Sequence, residues 1–136
     1  MAVTPYLFLE GRCEEAIEFY KKHLGADVSM MMRFKDAPPQ EGYKPAPGTE
    51  NRVMHTCVTI NGAPVMMSDG CADKAPEFKG FALSLTAKSE VEAKTMFEAL
   101  AKGGKVTQPL VKTFFSPAFG MLQDRFGIGW MIMATA

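Results

Sequence analysis

Residues 12–28 read RCEEAIEFYKKHLGADV, and residues 89–106 read SEVEAKTMFEALAKGGKV. In the first, Cys13, Ala16, Ile17, Tyr20 and Leu24 recur at helical spacing and predict one apolar face over about 12–24. Acids Glu14, Glu15 and Glu18 come early and Lys21, Lys22 and His23 late, as the helix dipole favours, and Gly25 supplies a stop. The second predicts a helix over about 90–102 with Ala93, Met96, Phe97, Leu100 and Ala101 inward. Ser89 and Glu92 have capping-box spacing, and Gly103-Gly104 close it. Ala16 and Ala93, Tyr20 and Phe97, and Leu24 and Ala101 each stand 77 positions apart, so the chain is a repeat.

An alternating strand precedes each helix: PYLFLE (5–10) and FALSLTA (81–87). Three strands follow each helix. They are expected at 28–34, 53–60 and 64–69 in the first half, the last two joined by the hairpin signal Asn61-Gly62. In the second half they are expected at about 105–111, 113–123 and 128–134. The fold class is therefore α+β: two βαβββ modules, about 1–72 and 77–136, in one domain over 1–136. A half of about 65 residues is marginal alone and its sheet would have exposed edges. The modules are expected to form a curved mixed sheet with helices outside, whose concave face is a natural small-molecule cavity. The proline-rich stretch 35–52, KDAPPQEGYKPAPGTENR, has no apolar period and reads as a loop, either simply mobile or a lid.

Composition excludes several classes of function. Fifteen basic and 15 acidic side chains balance and are scattered, without the basic stripe a nucleic-acid partner needs. No apolar run approaches the about 20 residues of a membrane span. The opening MAVTPYLFLEGR lacks the basic start and long apolar stretch of a secretory signal. Three cysteines, Cys13, Cys57 and Cys71, without CxxC spacing suit a reduced, cytoplasmic protein. Eleven methionines are the most unusual count; methionine fills irregular cores and also lines adaptable binding surfaces.

The duplicated unit resembles the vicinal oxygen chelate superfamily, which includes glyoxalase I, extradiol dioxygenases and the bleomycin and fosfomycin resistance proteins. Three segments, TPYLFLEGRCEEAIEFYKKHLGADV (4–28), VMHTCVTINGAPVMMSDG (53–70) and FGMLQDRFGIGWMI (119–132), are similar to its PhnB-like branch. The resemblance covers essentially the whole chain and implies the glyoxalase/bleomycin resistance fold. That branch borrows a demethylubiquinone methyltransferase label, yet no glycine-rich methyl-donor loop follows a strand here.

Metal-dependent members of the superfamily hold one divalent ion with His or Gln and Glu from the first and last strand of each unit. Carried over by strand, these positions fall at Thr4 or Pro5, Met66 or Met67, Gly80 or the adjacent Phe81, and Met133. None is a ligand for a hard divalent ion. The expectation is no cofactor, with a divalent metal at a displaced position left open.

His55 shares a strand face with Cys57 and Thr59, and Asp69 ends the paired strand. His55 and Asp69 are the candidate catalytic pair, a base oriented by a carboxylate or half of a displaced metal site; a structural hydrogen bond at a sheet end is the competing reading. Cys13 near a helix start invites a lowered pKa, but its inward face argues for packing. Cys57 is the better thiol candidate, though it too reads as filler. His23 reads as solvated, Asp124 as an Asx-type turn residue. Arg33 and Lys112 end equivalent strands and stand where an anionic ligand would be attracted; Ser68, Ser84 and Gln108 are candidate polar points.

The leading expectation is a protein that binds a small, partly apolar molecule of unknown identity in a metal-free cavity. The candidate lining is His55, Cys57, Leu7, Met66, Phe81, Phe114, Phe119, Trp130 and Met133. A homodimer is expected from the resemblance, with neither nucleic acid nor membrane as partner. The alternative is an enzyme of lyase, dioxygenase or transferase type, using a relocated metal site or His55 as acid/base.

Overall fold

The computed structural model describes residues 3–36, 48, 50–70 and 77–135. The chain divides into two compact units, Met1–Pro76 and Glu77–Ala136. Each is a four-stranded mixed sheet with one helix, and the two have the same topology.

In the first unit the elements are β1 (Tyr6–Phe8), α1 (Cys13–Leu24), β2 (Asp27–Arg33), a 3-10 turn (Phe34–Asp36), β3 (Val53–Ile60) and β4 (Ala63–Ser68). The sheet order is β1-β4-β3-β2, with β1 parallel to β4 and the other neighbours antiparallel. The second unit runs β5 (Leu83–Ala87), α2 (Glu90–Ala101), β6 (Lys105–Val111), β7 (Phe119–Gln123) and β8 (Gly129–Ala134) in the order β5-β8-β7-β6.

The local signals act as their chemistry dictates. Asn61 and Gly62 both take positive φ, 51° and 83°, so Ile60 pairs directly with Ala63 across a two-residue turn. Ser89 caps α2 by accepting the Glu92 N–H at 3.1 Å. Gly25 closes α1 in the left-handed conformation. The strand expected over 113–123 is shorter, Phe119–Gln123. The Thr113 N–H donates to the Ser116 carbonyl at 2.9 Å and the Ser116 hydroxyl to the Ala134 carbonyl at 2.7 Å. Those bonds fold 113–116 into a turn and withdraw it from the ladder.

Helix α1 lies against β3, and α2 lies against β7 and β8. Ile17 and Tyr20 of α1 are buried with Leu7, Val53, Val58 and Met67 of the first sheet, and Phe97 and Leu100 of α2 with Leu85, Leu122 and Ile132 of the second. Each such side chain contributes about 1.5–3 kcal/mol by leaving water. At Gly120 there is no room for a side chain under α2: a Cβ there would stand 2.6 Å from the Phe97 ring. The central strands alternate, one phase packing toward the helix and the other forming an open face. The proline-rich stretch falls mostly outside the described residues, as does Cys71. Among the described residues no helix is long and apolar enough to cross a membrane.

Candidate functional site

The open face of the first sheet is set by its register. Tyr6 pairs with Met66, Met66 with Cys57, and Cys57 with Met30, giving one row across four strands. His55 pairs with Met32 one step along, and Phe8 with Ser68. Tyr6 is 39% exposed and Phe8 and Met30 more so, while His55, Cys57 and Met66 are half-buried. The row carries no carboxylate, ammonium or guanidinium.

Its polar centre is the pair formed by Tyr6 Oη and His55 Nδ1, 2.9 Å apart. The rings stack at 5.5 Å between centroids with 27° between planes, and Phe8 lies 5.0 Å from Tyr6. Burial raises the Tyr6 pKa, against the opposing hydrogen bond to Ser68, so the side chain stays a phenol at neutral pH. With Nδ1 occupied, Nε2 is the imidazole nitrogen left for a ligand.

The equivalent face of the second sheet is built on the same register but with different chemistry. Ser84 pairs with Met131, Met131 with Met121 and Met121 with Gln108; Thr86 pairs with Met133 and Met133 with Phe119. Beside it, a groove of about 320 Å³ is lined by Phe78, Phe81, Thr107, Met121 and Gln123, with Trp130 contributing to its floor.

Several sequence expectations change. His55 and Asp69 are not a dyad. Asp69 is 4% exposed, and its carboxylate accepts the N–H of Gly11 (3.0 Å), Cys13 (2.8 Å) and Val53 (2.8 Å). It thereby caps α1, whose own N-cap residue Arg12 makes no side-chain cap. Leu7 is not a lining residue, because its phase faces α1. Trp130 is 2% exposed and occupies the phase opposite Met131 and Met133; its indole donates to Asp124 Oδ2 at 2.9 Å. Phe114 is fully exposed at the tip of the 113–116 turn. Met66, Phe119 and Met133 lie on open faces, and Phe81 on the groove.

Cys13 is the reverse of activated. Burial, then the nearby Asp69 and Glu14 carboxylates, push its thiol up to about 12, overriding the helix dipole. Arg33 is engaged by the Glu14 carboxylate and donates to the Asn51 carbonyl at 2.7 Å. Asp124 makes the expected turn, accepting the N–H of Phe126 (2.9 Å) and Ile128 (3.1 Å). Ser68 is buried, and its hydroxyl accepts the Gly70 N–H at 3.0 Å.

Sequence reasoning missed Tyr6, Phe8 and Met30. The signal was present in PYLFLE: Leu7 and Leu9 are the aliphatic phase suited to a helix, leaving Tyr6 and Phe8 opposite.

Of the four positions that the resemblance assigned to a metal, only Met66 and Met133 lie on open faces within strands; Met67 is core, and Thr4, Pro5, Gly80 and Phe81 precede their strands. Among the described residues no three His, Cys, Asp or Glu side chains converge on one point. The donors at the open-face stations are thioethers, which do not fit a hard divalent ion.

Two βαβββ units of the same strand order define a protein of the vicinal oxygen chelate type. Residues 1–133 match the family described as 3-demethylubiquinone-9 3-methyltransferase, and the chain belongs to that family, the PhnB-like branch of the superfamily. It is 33% identical over 138 residues to Protein YjdN of Escherichia coli (strain K12), across 97% of this chain and 94% of that one. Among solved structures, protein PA1353 from Pseudomonas aeruginosa is 34% identical with a TM-score of 0.83, covering 99% of this chain and 98% of its own. A PhnB protein from Bacillus cereus is 29% identical with a TM-score of 0.80, covering 99% and 100%. A glyoxylase/bleomycin resistance protein/dioxygenase domain from Frankia sp. EAN1pec, 16% identical with a TM-score of 0.61 over 100% of this chain and 93% of its own, shares the fold alone.

Proposed function

We propose that this chain binds a small, partly apolar molecule on the open face of the first sheet, without the divalent ion used by metal-dependent relatives. The observation that carries the reading is the Tyr6–His55 pair, 2.9 Å from oxygen to nitrogen, set in a face otherwise made of Phe8, Cys57 and methionines. A planar apolar ligand gains contact with the aromatic pair, worth about 0.5–1.5 kcal/mol beyond area burial. The flexible methionines adapt to its outline. With the phenol donating to Nδ1, the imidazole carries its proton on Nε2 and offers it to a ligand carbonyl or ring nitrogen.

The homodimer and the cytoplasmic location belong to the same proposal. Exposed Phe114 and Phe115 supply apolar surface for a second copy, and the unpaired cysteines suit a reducing compartment.

The test is an aromatic fragment screen read by methyl resonances of the methionines. Shifts centred on Met30 and Met66, weakened by Tyr6→Phe and His55→Ala with unfolding midpoints unchanged, are expected. Fragments that leave those methyls unmoved, or His55-dependent stoichiometric binding of Mn(II) or Zn(II), overturn the reading. Sedimentation of the wild type against Phe114→Ser checks the dimer.

A further inference from the structure

The first sheet's open face places a thiol between two thioethers. Cys57 is the direct cross-strand partner of Met66 on one side and of Met30 on the other. Directly opposed residues on one face have Cβ atoms about 4.5–5.5 Å apart, within reach of a methionine side chain on either flank. His55 lies two residues along the same strand on the same face, and its Nδ1 is already held by Tyr6. Going beyond the small-molecule reading, we propose that this face is a copper(I) site, with Cys57 Sγ, Met66 Sδ and Met30 Sδ as the sulfur ligands and His55 Nε2 completing the set.

The donor chemistry selects the ion. Thiolate and thioether are soft ligands that favour a soft monovalent cation over magnesium, manganese or calcium, and imidazole suits copper as well. The charge balance agrees. On binding, the Cys57 S–H bond breaks, its proton passes to solvent, and an Sγ–Cu bond forms; copper remains monovalent and no electron moves. Thiolate plus Cu(I) is neutral, which suits a row that carries no carboxylate. A divalent ion there would leave an uncompensated positive charge on a half-buried apolar face. A metal-bound imidazole is commonly oriented by a hydrogen bond at its other nitrogen: on copper binding the imidazole proton moves through solvent from Nε2 to Nδ1, and the Tyr6 oxygen 2.9 Å away accepts it. Met30 is 43% exposed, so the ion has a path in from solvent.

The repeat provides an internal control. In the second sheet Met121 stands where Cys57 does, between Met131 and Gln108. That row lacks a thiol, so no anionic soft ligand is available and one copper per chain is expected, not two.

The test uses the whole chain, reduced and under anaerobic conditions, in competition with the chromophoric copper(I) chelator bicinchoninate. One equivalent of copper(I) is expected to be withdrawn from the chelator, and excess Zn(II) should not displace it. Cys57→Ser should abolish retention, whereas Cys71→Ser should leave it intact. Met66→Leu and Met30→Leu, close in size to the native residue, should each weaken it with circular dichroism unchanged. Tyr6→Phe, which removes the orienting partner and no ligand, should weaken it by about 10–100-fold. Retention in Cys57→Ser overturns the proposal. So does indifference to both methionine changes, which would reduce the site to an ordinary thiol. Fragment binding and copper binding are read separately, so either proposal can fail alone.

Discussion

The amide of Cys13 donates to the carboxylate of Asp69 at 2.8 Å, and through that bond the end of β4 caps the start of α1. The bond joins residues 56 positions apart and closes the helix on the sheet. Two further backbone N–H groups, of Gly11 and Val53, share the same carboxylate. Replacing Asp69 by Ala leaves buried donors without partners, each worth about 1–3 kcal/mol. Asp69→Ala is therefore expected to lower the urea midpoint sharply, and Asp69→Asn, which keeps one acceptor oxygen, to lower it less. A neutral result for Asp69→Ala would show the carboxylate to be dispensable.

The same comparison separates structure from binding. Asp69→Asn should leave the affinity of the open face for aromatic fragments unchanged in the folded fraction, because neither carboxylate oxygen faces His55. A specific loss of binding with intact stability would restore the catalytic pair that the geometry removes.

Cys13 sets an alkaline limb. An unfolded thiol titrates at about 8.5, whereas the folded one is held up to about 12, first by burial. Across that window the unfolded chain has released a proton that the folded chain keeps. The contribution is thus fully present below the unfolded value and is lost as pH rises toward the folded one. Cys13→Ala should flatten the fall in stability above about pH 9 relative to wild type. At neutral pH, iodoacetamide should modify Cys57 and spare Cys13 until the chain unfolds, as peptide mass spectrometry can show.

At the acid end, the Arg33 guanidinium holds the Glu14 carboxyl below the usual carboxylate range. A depressed folded pKa gives stability that is present above the unfolded value and lost as pH falls through the folded one. The pair lies on the surface, so Glu14→Gln should cost little at pH 7 and shift only the acid limb of the denaturation curve, an effect that added salt diminishes.

Gly120→Ala tests the packing of α2 on β7. Its Cβ would overlap the Phe97 ring and crowd the Gln108 carbonyl, at 2.6 and 3.1 Å. A loss of about 1–3 kcal/mol is expected from overpacking. The double variant Gly120→Ala, Phe97→Leu should recover part of it.

Most of the fold was legible because its signals are local. Helical spacing, the Ser89 cap and the Asn61-Gly62 turn each act within a few residues. The site was less legible because alternation shows that a strand has two faces without saying which one meets a helix. Leu7 and Trp130, apolar residues that suit either face, stand on the buried phase. Trp130 looks like a ligand-facing ring until Asp124, six residues away, is seen to take its indole N–H. Asp69 was misread because its partners are backbone amides, which leave no trace in residue identity. That His55 and Cys57 share one strand phase is visible in sequence; that Met66 and Tyr6 stand on the same face follows only from the pairing of β3 with β4 and of β4 with β1.

The two sheets share more than an outline. Tyr6, Met66 and Cys57 occupy the stations of Ser84, Met131 and Met121, and even the irregularity opposite the third station recurs, at Val28/Met30 and Val106/Gln108. His55, two residues before Cys57, then corresponds to Phe119, two before Met121. The backbone is therefore a socket present in two copies and wired in one. Writing Ser84→Tyr and Phe119→His into the second sheet should install a second phenol–imidazole couple on ready-made geometry, turning one half of the molecule into a transplant of the other.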